Sequence, residues 1–272
     1  MTTLTISTWN INSVRLRLFN VERHLGEVDP DVLCLQETKV ADAQFPAAAF
    51  RKLGYPHVAV NGGKGGYHGV AIVSRLPLEE VSIRPFCGKA GDPRHVAAVV
   101  RVGGRAVRIH NFYVPAGGDE PDPAVNPKFA HKMDFLGELA VFLPTASPDD
   151  VPSIVVGDLN VAPYESDVWS HKALLKVVSH TPVECAALEK ARLAAGFVDV
   201  ARAFVPMEEK LYSWWSYRAK DWRAADRGRR LDHLWAHPEI AARANAFRIH
   251  KDARDWSRAS DHVPVVASFD MR

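Results

Sequence analysis

Several short apolar runs in this sequence end in polar residues of kinds that can do chemistry. Trp9 leads into Asn10 and Asn12, and Leu33-Cys34-Leu35 leads into Gln36 and Glu37. Ile154-Val155-Val156-Gly157 delivers Asp158 and Asn160, Arg230-Leu231 delivers Asp232, and Ser260 precedes Asp261-His262 just ahead of a further apolar run. If these runs are strands lying side by side, their ends gather carboxylates, amides and an imidazole at one edge. Oxygen-rich groups with few nitrogens suit a hard divalent cation, Mg²⁺ or Mn²⁺, which keeps waters and takes one or two carboxylates plus substrate phosphate oxygens. Phosphodiester hydrolysis needs an activated water, neutralised phosphoryl oxygens and help for the leaving alkoxide. In that reading Glu37 holds the metal, Asp158 draws a proton from water and Asn160 orients it. His262, protonated by a neighbour such as Asp232, donates to the non-bridging oxygens. A single aspartate after a strand more often caps a helix or forms a turn. The weight here lies in several strand ends that together carry the types one reaction needs.

The elements that must position these groups are legible as alternations and runs. Leu4, Ile6 and Thr8 alternate with Thr5, Ser7 and Trp9, the pattern of a strand with two different faces. Val32 to Leu35, Val70 to Val73 and Ile154 to Val156 are continuous apolar runs, as in strands buried on both sides. Val96 to Val102 and Ala106 to Tyr113 flank Gly103-Gly104, a hairpin signal. Leu231 to Trp235 and Val263 to Phe269 read as closing strands. Apolar residues at helical spacing predict helices over Ser13 to Val28, ended by Asp29-Pro30, and over Lys128 to Phe142. Further helices are predicted near Pro46 to Leu53 and over Glu184 to Ala195, the last ending at Gly196. Strands and hairpins outnumber what alternating βαβ units explain. The fold class is therefore α/β: two mixed β-sheets packed face to face with helices on the outer sides. Pro115 to Pro127 is rich in Pro, Gly and Asp but short for a linker, so residues 1–272 read as one domain.

Composition excludes some classes and leaves others open. With 47% hydrophobic and 24% charged residues the 272-residue chain lacks a disorder signature. The net charge of +2 neither demands nor excludes a polyanionic partner, so the placement of charge decides. Cys34, Cys87 and Cys185 are scattered and odd in number, which argues against a disulfide framework or a cysteine zinc site and fits a reducing cytosol. Met1 to Trp9 carries no basic-then-apolar signal pattern, and no uncharged apolar run is long enough to span a membrane. A cytoplasmic protein without membrane contact is expected. Nothing in the sequence requires a dimer, and a monomer is expected.

Read as ordered strings, the same residues resemble the exonuclease III-type apurinic endonucleases. Trp9-Asn10-Ile11-Asn12 with Val14-Arg15, then Leu35-Gln36-Glu37-Thr38-Lys39, are similar to that family's first two signatures. Gly69-Val70-Ala71-Ile72, Tyr113-Val114-Pro115, Gly157-Asp158-Leu159-Asn160, Arg230-Leu231-Asp232 and Ser260-Asp261-His262-Val263-Pro264 follow in the family's order, covering Leu4 to Phe269. The resemblance implies a four-layered α/β sandwich and a Mg²⁺ cofactor, with Mn²⁺ as the alternative. It implies Glu37 as principal metal ligand, supported by Asn10 and Asp261, with Asp158, Asn160 and His262 completing the metal-contacting set. It implies Tyr113 beside the scissile phosphate, as a donor or a low-pKa phenolate, and Asp232 orienting His262. The implied reaction is cleavage of duplex DNA 5′ to an abasic site, leaving a 3′-hydroxyl and a 5′ deoxyribose phosphate. Side activities on blocked 3′ ends, exonuclease and phosphatase, go with it. The wider superfamily also holds phosphatases of small molecules and lipid headgroups with the same metal-site residues, so the substrate rests on the binding loops.

One loop argues for nucleic acid. Between Leu211 and Leu231, Trp214, Trp215, Tyr217 and Trp222 are interleaved with Arg218, Lys220, Arg223, Arg227, Arg229 and Arg230. Cations meet phosphates while rings pack against sugar or base, although tryptophans of this kind are also ordinary core. By resemblance Trp214 and Leu231 wall the recess that takes a flipped abasic sugar; from the interleaving itself Trp222 and Arg218, and from its charge Arg15, are further candidate DNA contacts. Arg229 departs from the family, which more usually has an apolar wall residue there; a guanidinium narrows the recess or adds a phosphate contact. Lys39, Lys64 and Lys128 are additional candidates for backbone contacts. The glycine-rich Asn61 to Gly69 stretch lacks the Gly-Lys-Ser/Thr ending of a phosphate cradle and reads as a loop on the DNA face. A small-molecule or lipid-headgroup phosphatase is the alternative, disfavoured by this loop and by the lack of an amphipathic membrane-binding segment. A non-catalytic binder of DNA ends would be expected to lack one of Glu37, Asp158, Asn160 and His262, and all are present.

Overall fold

The aliphatic and β-branched runs become strands, most of them buried on both faces because a second layer covers each side. The computed structural model describes residues 2–63, 66–89, 91–147 and 151–272. In chain order the strands are β1 (Thr3–Asn10), β2 (Val32–Gln36), β3 (His57–Asn61), β4 (Val70–Ser74), β5 (Glu79–Ser82), β6 (His95–Val102) and β7 (Arg105–Tyr113). They continue as β8 (Ser153–Asp158), β9 (Val198–Asp199), β10 (Trp214–Trp215), β11 (Gly228–Arg229), β12 (Asp232–Ala236), β13 (Ala244–Ile249) and β14 (Val265–Asp270). The helices that matter for packing are α1 (Leu18–Val28), α2 (Ala47–Lys52), α3 (Pro127–Phe142), α4 (His171–Leu174) and α5 (Pro182–Ala194).

Two mixed six-stranded sheets result, in the orders β13-β14-β1-β2-β4-β3 and β5-β6-β7-β8-β12-β9. Within them β1 runs parallel to β2 and β7 parallel to β8; the other pairings are antiparallel. Strand periodicity sorts the side chains cleanly. Leu4, Ile6, Val32, Cys34 and Ile72 of the first sheet meet Val96, Ala98, Ile109, Ile154, Val156 and Leu234 of the second in one central cluster. Trp9, Leu33, Leu35 and Val73 point the other way, to Val21 and Leu25 of α1 and Phe50 of α2. Phe112, Val155 and Trp235 likewise turn outward to Phe135, Leu136 and Leu139 of α3 and Leu188 of α5. Each fully buried aliphatic or aromatic side chain contributes about 1.5–3 kcal/mol to holding these layers together. This is the expected sandwich.

Local chemistry sets the boundaries. Gly103 (φ 59°) and Gly104 (φ 80°) supply the two positive φ values that a two-residue hairpin turn requires. Pro182 at the first turn of α5, with a reciprocal Thr181–Glu184 capping box, starts that helix two residues before the expected Glu184. The helix expected from Ser13 begins only at Leu18, because Asn12 (φ 48°) and Ser13 (φ 89°) adopt left-handed backbone and the chain first makes a turn. Its end is as expected: Asp29 is left-handed and donates its N–H to Leu25 O. Strands β3, β5, β9, β11 and β13 were not anticipated. They are short or lie at sheet edges, and β5 is exposed along its whole length. Among the described residues no helix is long and apolar enough to cross a membrane.

A buried polar bridge ties the sheets together near one edge. Gln36 Nε2 on β2 donates to Asn111 Oδ1 on β7 (2.7 Å) and to Thr8 Oγ1 (2.9 Å). Asn111 Nδ2 returns to Leu35 O (3.0 Å) and Ala71 O (2.9 Å). Of these side-chain atoms only Gln36 Oε1 is left without a partner among the described residues, and the directed bonds fix one relative placement of the layers where an apolar contact would tolerate sliding.

Candidate active site

The strand register brings the candidate groups to that same edge of both sheets. Asn10 lies beside Gln36, so Glu37 emerges just past the end of β2. In the second sheet Tyr113 pairs with Asp158, and Asp158 lies opposite Asp232. The close approach of β7 and β8 here depends on Gly157 (φ 139°), where a Cβ would collide with the Phe112 carbonyl. Glu37 (φ 49°) and Asn160 (φ 53°) are themselves held in left-handed backbone, a conformation that surrounding contacts must sustain.

Asp158 is the buried centre. Its Oδ2 accepts from Asn10 Nδ2 (2.8 Å) and Asn160 Nδ2 (3.0 Å), and its Oδ1 from the Asn160 N–H (3.0 Å). Burial pushes its carboxyl well above the usual range; the neighbouring Asp232 and Glu37 charges add to this, and His262 and the Asn10 hydrogen bond only partly offset it. His262 behaves in the opposite sense. Burial alone would lower its pKa, but Asp232, at 2.8 Å from Nδ1, and Asp158, at 3.7 Å from Nε2, outweigh burial and hold the ring protonated. Asp232 is fixed in turn by Ser213, whose hydroxyl donates to Oδ2 (2.6 Å) and accepts the Leu231 and Asp232 N–H groups. Carboxylate and imidazolium are thus pushed apart in function: one favours taking a proton, the other donating a hydrogen bond. With Nδ1 held by Asp232, His262 presents Nε2 toward Asp158 and the reaction centre, and in its protonated form that atom is a donor.

Glu37 is half-buried and ionised. Burial works against its charge, but Lys39 and the hydrogen bonds from Asn10 and Lys39 bring its pKa below the usual value. Its Oε1 accepts from Asn10 Nδ2 (2.9 Å) and Tyr113 Oη (2.9 Å), while Lys39 Nζ sits 2.8 Å from Oε2 and 2.6 Å from Asn12 Oδ1. Asp261 joins from the side, held by Trp214 Nε1 (2.9 Å) and Asn12 Nδ2 (3.2 Å). An all-oxygen set that already gathers one cation, the Lys39 ammonium, fits a hard divalent ion. A second candidate grouping, Asp158, Asp232 and His262, has ligand atoms within 4.8 Å of one another, but its imidazole is committed to Asp232. Glu37, with Asn10 bridging it to Asp158, is thus the carboxylate that already meets a cation, and Asp158, Asp232 and His262 are the grouping whose ligand atoms lie closest together. Tyr113 is buried, and burial, with Glu37 and Asp158 nearby, drives its pKa far up. Of the two forms expected for Tyr113, this placement favours the phenol, which donates to Glu37.

Around this network the sequence expectations divide. Beside Tyr113 opens a cleft of about 670 Å³ lined by His68, Lys89, Arg94, Lys128 and His131, with the Arg94 guanidinium 5.0 Å from the Tyr113 ring centre. Arg15 and Arg218 are exposed, Trp214 and Arg229 half-buried and Leu231 buried. Trp222, expected at the DNA surface, is instead core: its ring lies 5.1 Å from Trp215 and its Nε1 bonds Asp255 Oδ1 (2.7 Å). Arg230 is also structural, fully buried between Asp167 and Asp199, and Arg223 is engaged by Asp252 and Asp255. Lys39 serves Glu37 rather than standing free for the backbone. Lys64 lies outside the described residues. Sequence reasoning missed Lys132, fully buried, paired with Glu184 and donating to Asn160 O (2.8 Å). The signal was a lysine at helical spacing between Phe129 and Leu136 on the buried face of α3.

Comparison with known proteins agrees with this architecture. Residues 7–262 match the Endonuclease/Exonuclease/phosphatase family. Exodeoxyribonuclease III of Haemophilus influenzae is 31% identical over 271 residues, covering 96% of this chain and 98% of the relative. An AP endonuclease from Archaeoglobus fulgidus superposes with a TM-score of 0.89 at 36% identity, covering 98% of this chain and 99% of that one. The 3′ phosphatase NExo from Neisseria, solved bound to a product DNA hairpin, gives a TM-score of 0.88 at 32% identity and covers 98% and 99%. Fold and site define a metal-dependent phosphoester hydrolase, and the chain belongs to the endonuclease/exonuclease/phosphatase family. Within that family it stands with the exonuclease III-type nucleases.

Proposed function

We propose that this chain, working as one domain and as a monomer in the cytoplasm, is a DNA-repair phosphodiesterase. It cuts the backbone 5′ to abasic sites and also trims or dephosphorylates blocked 3′ ends. The observation that supports this most is the opposed pair at the strand ends: a buried Asp158 whose pKa is raised, next to a His262 kept cationic by Asp232.

In this reading Asp158 removes a proton from the attacking water. The two amide hydrogens of Asn160 are taken by Val114 O (2.9 Å) and Asp158, which leaves its carbonyl oxygen to orient that water. His262 and the Tyr113 phenol donate hydrogen bonds to the phosphoryl oxygens where charge develops. Mg²⁺ held by Glu37, Asn10, Asp158 and Asp261 would supply further neutralisation of that charge. Arg15 and Arg218 meet backbone phosphates, and Trp214 and Leu231 wall the space for the flipped sugar.

The test is cleavage of a labelled duplex carrying one abasic analogue, with Mg²⁺ and with EDTA, beside the undamaged duplex. A metal-dependent cut on the 5′ side of the lesion is expected. Inertness on both duplexes, with hydrolysis of small phosphomonoesters, would replace this reading with a small-molecule phosphatase.

A further inference from the structure

Arg229 is a cation set among apolar neighbours. It stands opposite Trp214 in the two-stranded ladder of β10 and β11, and Trp214 forms a backbone bridge with His262. Two residues on, Leu231 packs with Ala162, Val168 and Leu174, with Trp169, Val177 and Trp214 against them. The Arg229 guanidinium lies 5.3 Å from the Trp214 ring centre, and its Nη1 donates to Val178 O (3.0 Å) and Ser179 Oγ (2.7 Å).

The acceptor side of this strap is rigid. Ser179 is left-handed (φ 87°), its N–H donates to both Glu184 carboxylate oxygens (3.1 and 3.0 Å), and its carbonyl accepts from Ala162 N (2.7 Å). Glu184 is itself pinned by Lys132. Both hydrogen bonds of Arg229 go to neutral oxygens, and its buried Nε has no partner. The charge is therefore fixed in place without being neutralised by a bonded carboxylate.

We propose that Arg229 is a specificity-determining residue that turns the enzyme from internal abasic sugars toward 3′-terminal phosphates. The proposal rests on the reading of Trp214 and Leu231 as the substrate wall. An abasic deoxyribose brings carbon and hydroxyl to that wall. To seat against Trp214 it must lift the guanidinium from the ring and break both bonds to the Val178–Ser179 turn, with no anion to replace them. A 3′-phosphate brings charged oxygens that a guanidinium attracts while still strapped. Discrimination thus comes from a group that opposes one substrate as well as favouring the other. In the favoured reaction water adds to phosphorus and the bond to the 3′ oxygen breaks. The alkoxide takes a proton, giving a 3′-hydroxyl and inorganic phosphate.

The experiment compares kcat/KM on two otherwise identical duplexes, one with an internal tetrahydrofuran abasic analogue and one with a 3′-phosphate at a nick. The wild-type chain is expected to favour the 3′-phosphate. Arg229→Leu is expected to move the ratio toward the internal site by about tenfold or more, the scale of one charge-assisted contact. Ser179→Ala, which removes one of the strap's two bonds but keeps the charge, should raise cleavage at the internal site without loss on the 3′-phosphate. If Arg229→Leu does not fold, Ser179→Ala and Arg229→Lys carry the same comparison, the lysine keeping charge without the fork. A wild-type preference for the internal site, or an unshifted ratio in folded variants, overturns the proposal alone. Wild-type inertness on both duplexes removes the functional reading and the proposal with it.

Discussion

Replacing Asp232 by asparagine isolates the charge that keeps His262 cationic while leaving the shape nearly unchanged. At the observed 2.8 Å the bare attraction is about 6 kcal/mol for an effective dielectric near 20, and Asp158 at 3.7 Å supplies about 4 kcal/mol more. The variant loses the larger share. Removing one member of a buried charge pair destabilises by about 3–5 kcal/mol after relaxation. Further, Asp232 Oδ1 is buried without a partner, so an amide NH₂ turned to that side finds no acceptor. Single-turnover cleavage of the abasic duplex by Asp232→Asn should fall about 10²- to 10⁴-fold, the range for losing a correctly protonated acid–base group. Melting measured against pH gives an independent sign. The His262 pKa is raised on folding, so its stabilisation is fully present below the unfolded imidazole value of about 6.5 and fades as pH rises through the folded value. The melting gap between wild type and variant should therefore be widest at and below neutrality and shrink on the alkaline side. Near-normal cleavage together with a pH-independent gap would refute the assignment of Asp232 as the charge that holds His262.

Three further outcomes follow from the same network. Asp158→Asn should lower turnover by about 10²- to 10⁴-fold. It should melt no lower than wild type at pH 8, because burial opposes ionisation of that carboxyl and the variant has none to ionise; a lower melting temperature there would count against the raised pKa. Tyr113→Phe removes one donor and should reduce kcat about 10²-fold without reshaping the pH–rate profile below pH 9, whereas loss of an alkaline limb would reinstate the phenolate. Lys132→Met should destabilise by about 3–5 kcal/mol in urea titrations, and the double variant with Glu184→Gln, which drops the charge but keeps an acceptor for the Ser179 and Thr181 donors, should recover part of that. A double variant no better than the single would mean that the unpaired carboxylate charge is not what the site suffers from.

The sequence made the strand ends legible because a buried strand needs an unbroken apolar run, and the first polar residue after it is conspicuous. Glu37 and Asp158 stand just past such runs, and the register brings them to one edge with Asn10, at the end of the alternating β1, and Asp232, which opens β12 after Leu231. What escaped notice obeys weaker rules. Edge strands such as β5 and β13 carry mixed residues, because one side meets water and no apolar run is needed. Left-handed Asn12 and Ser13 interrupt a helical periodicity that is otherwise correct from Leu18 onward. Side-chain type also fails to tell a buried tryptophan from a surface one. Trp215 and Trp222 sit in the core while Trp214, next in sequence to one of them, is partly open. Arginines divide the same way: Arg230 is interior and Arg218 exposed, according to whether Asp167 and Asp199 happen to fold beside them.

The Gln36–Asn111 bridge joins two layers that each carry half of the reacting groups, Asn10 and Glu37 on one and Tyr113, Asp158 and Asp232 on the other. Turnover is therefore a vernier for the interior. A substitution deep between the sheets, in Ile72 or Val156, need move one layer against the other by only a fraction of an ångström to misalign donors and base. Activity should then decay through a graded series of core variants while melting temperature and circular dichroism still report an intact chain. Thermal tolerance in a protein of this design would be gained by stiffening the seam between its halves as much as by strengthening either one.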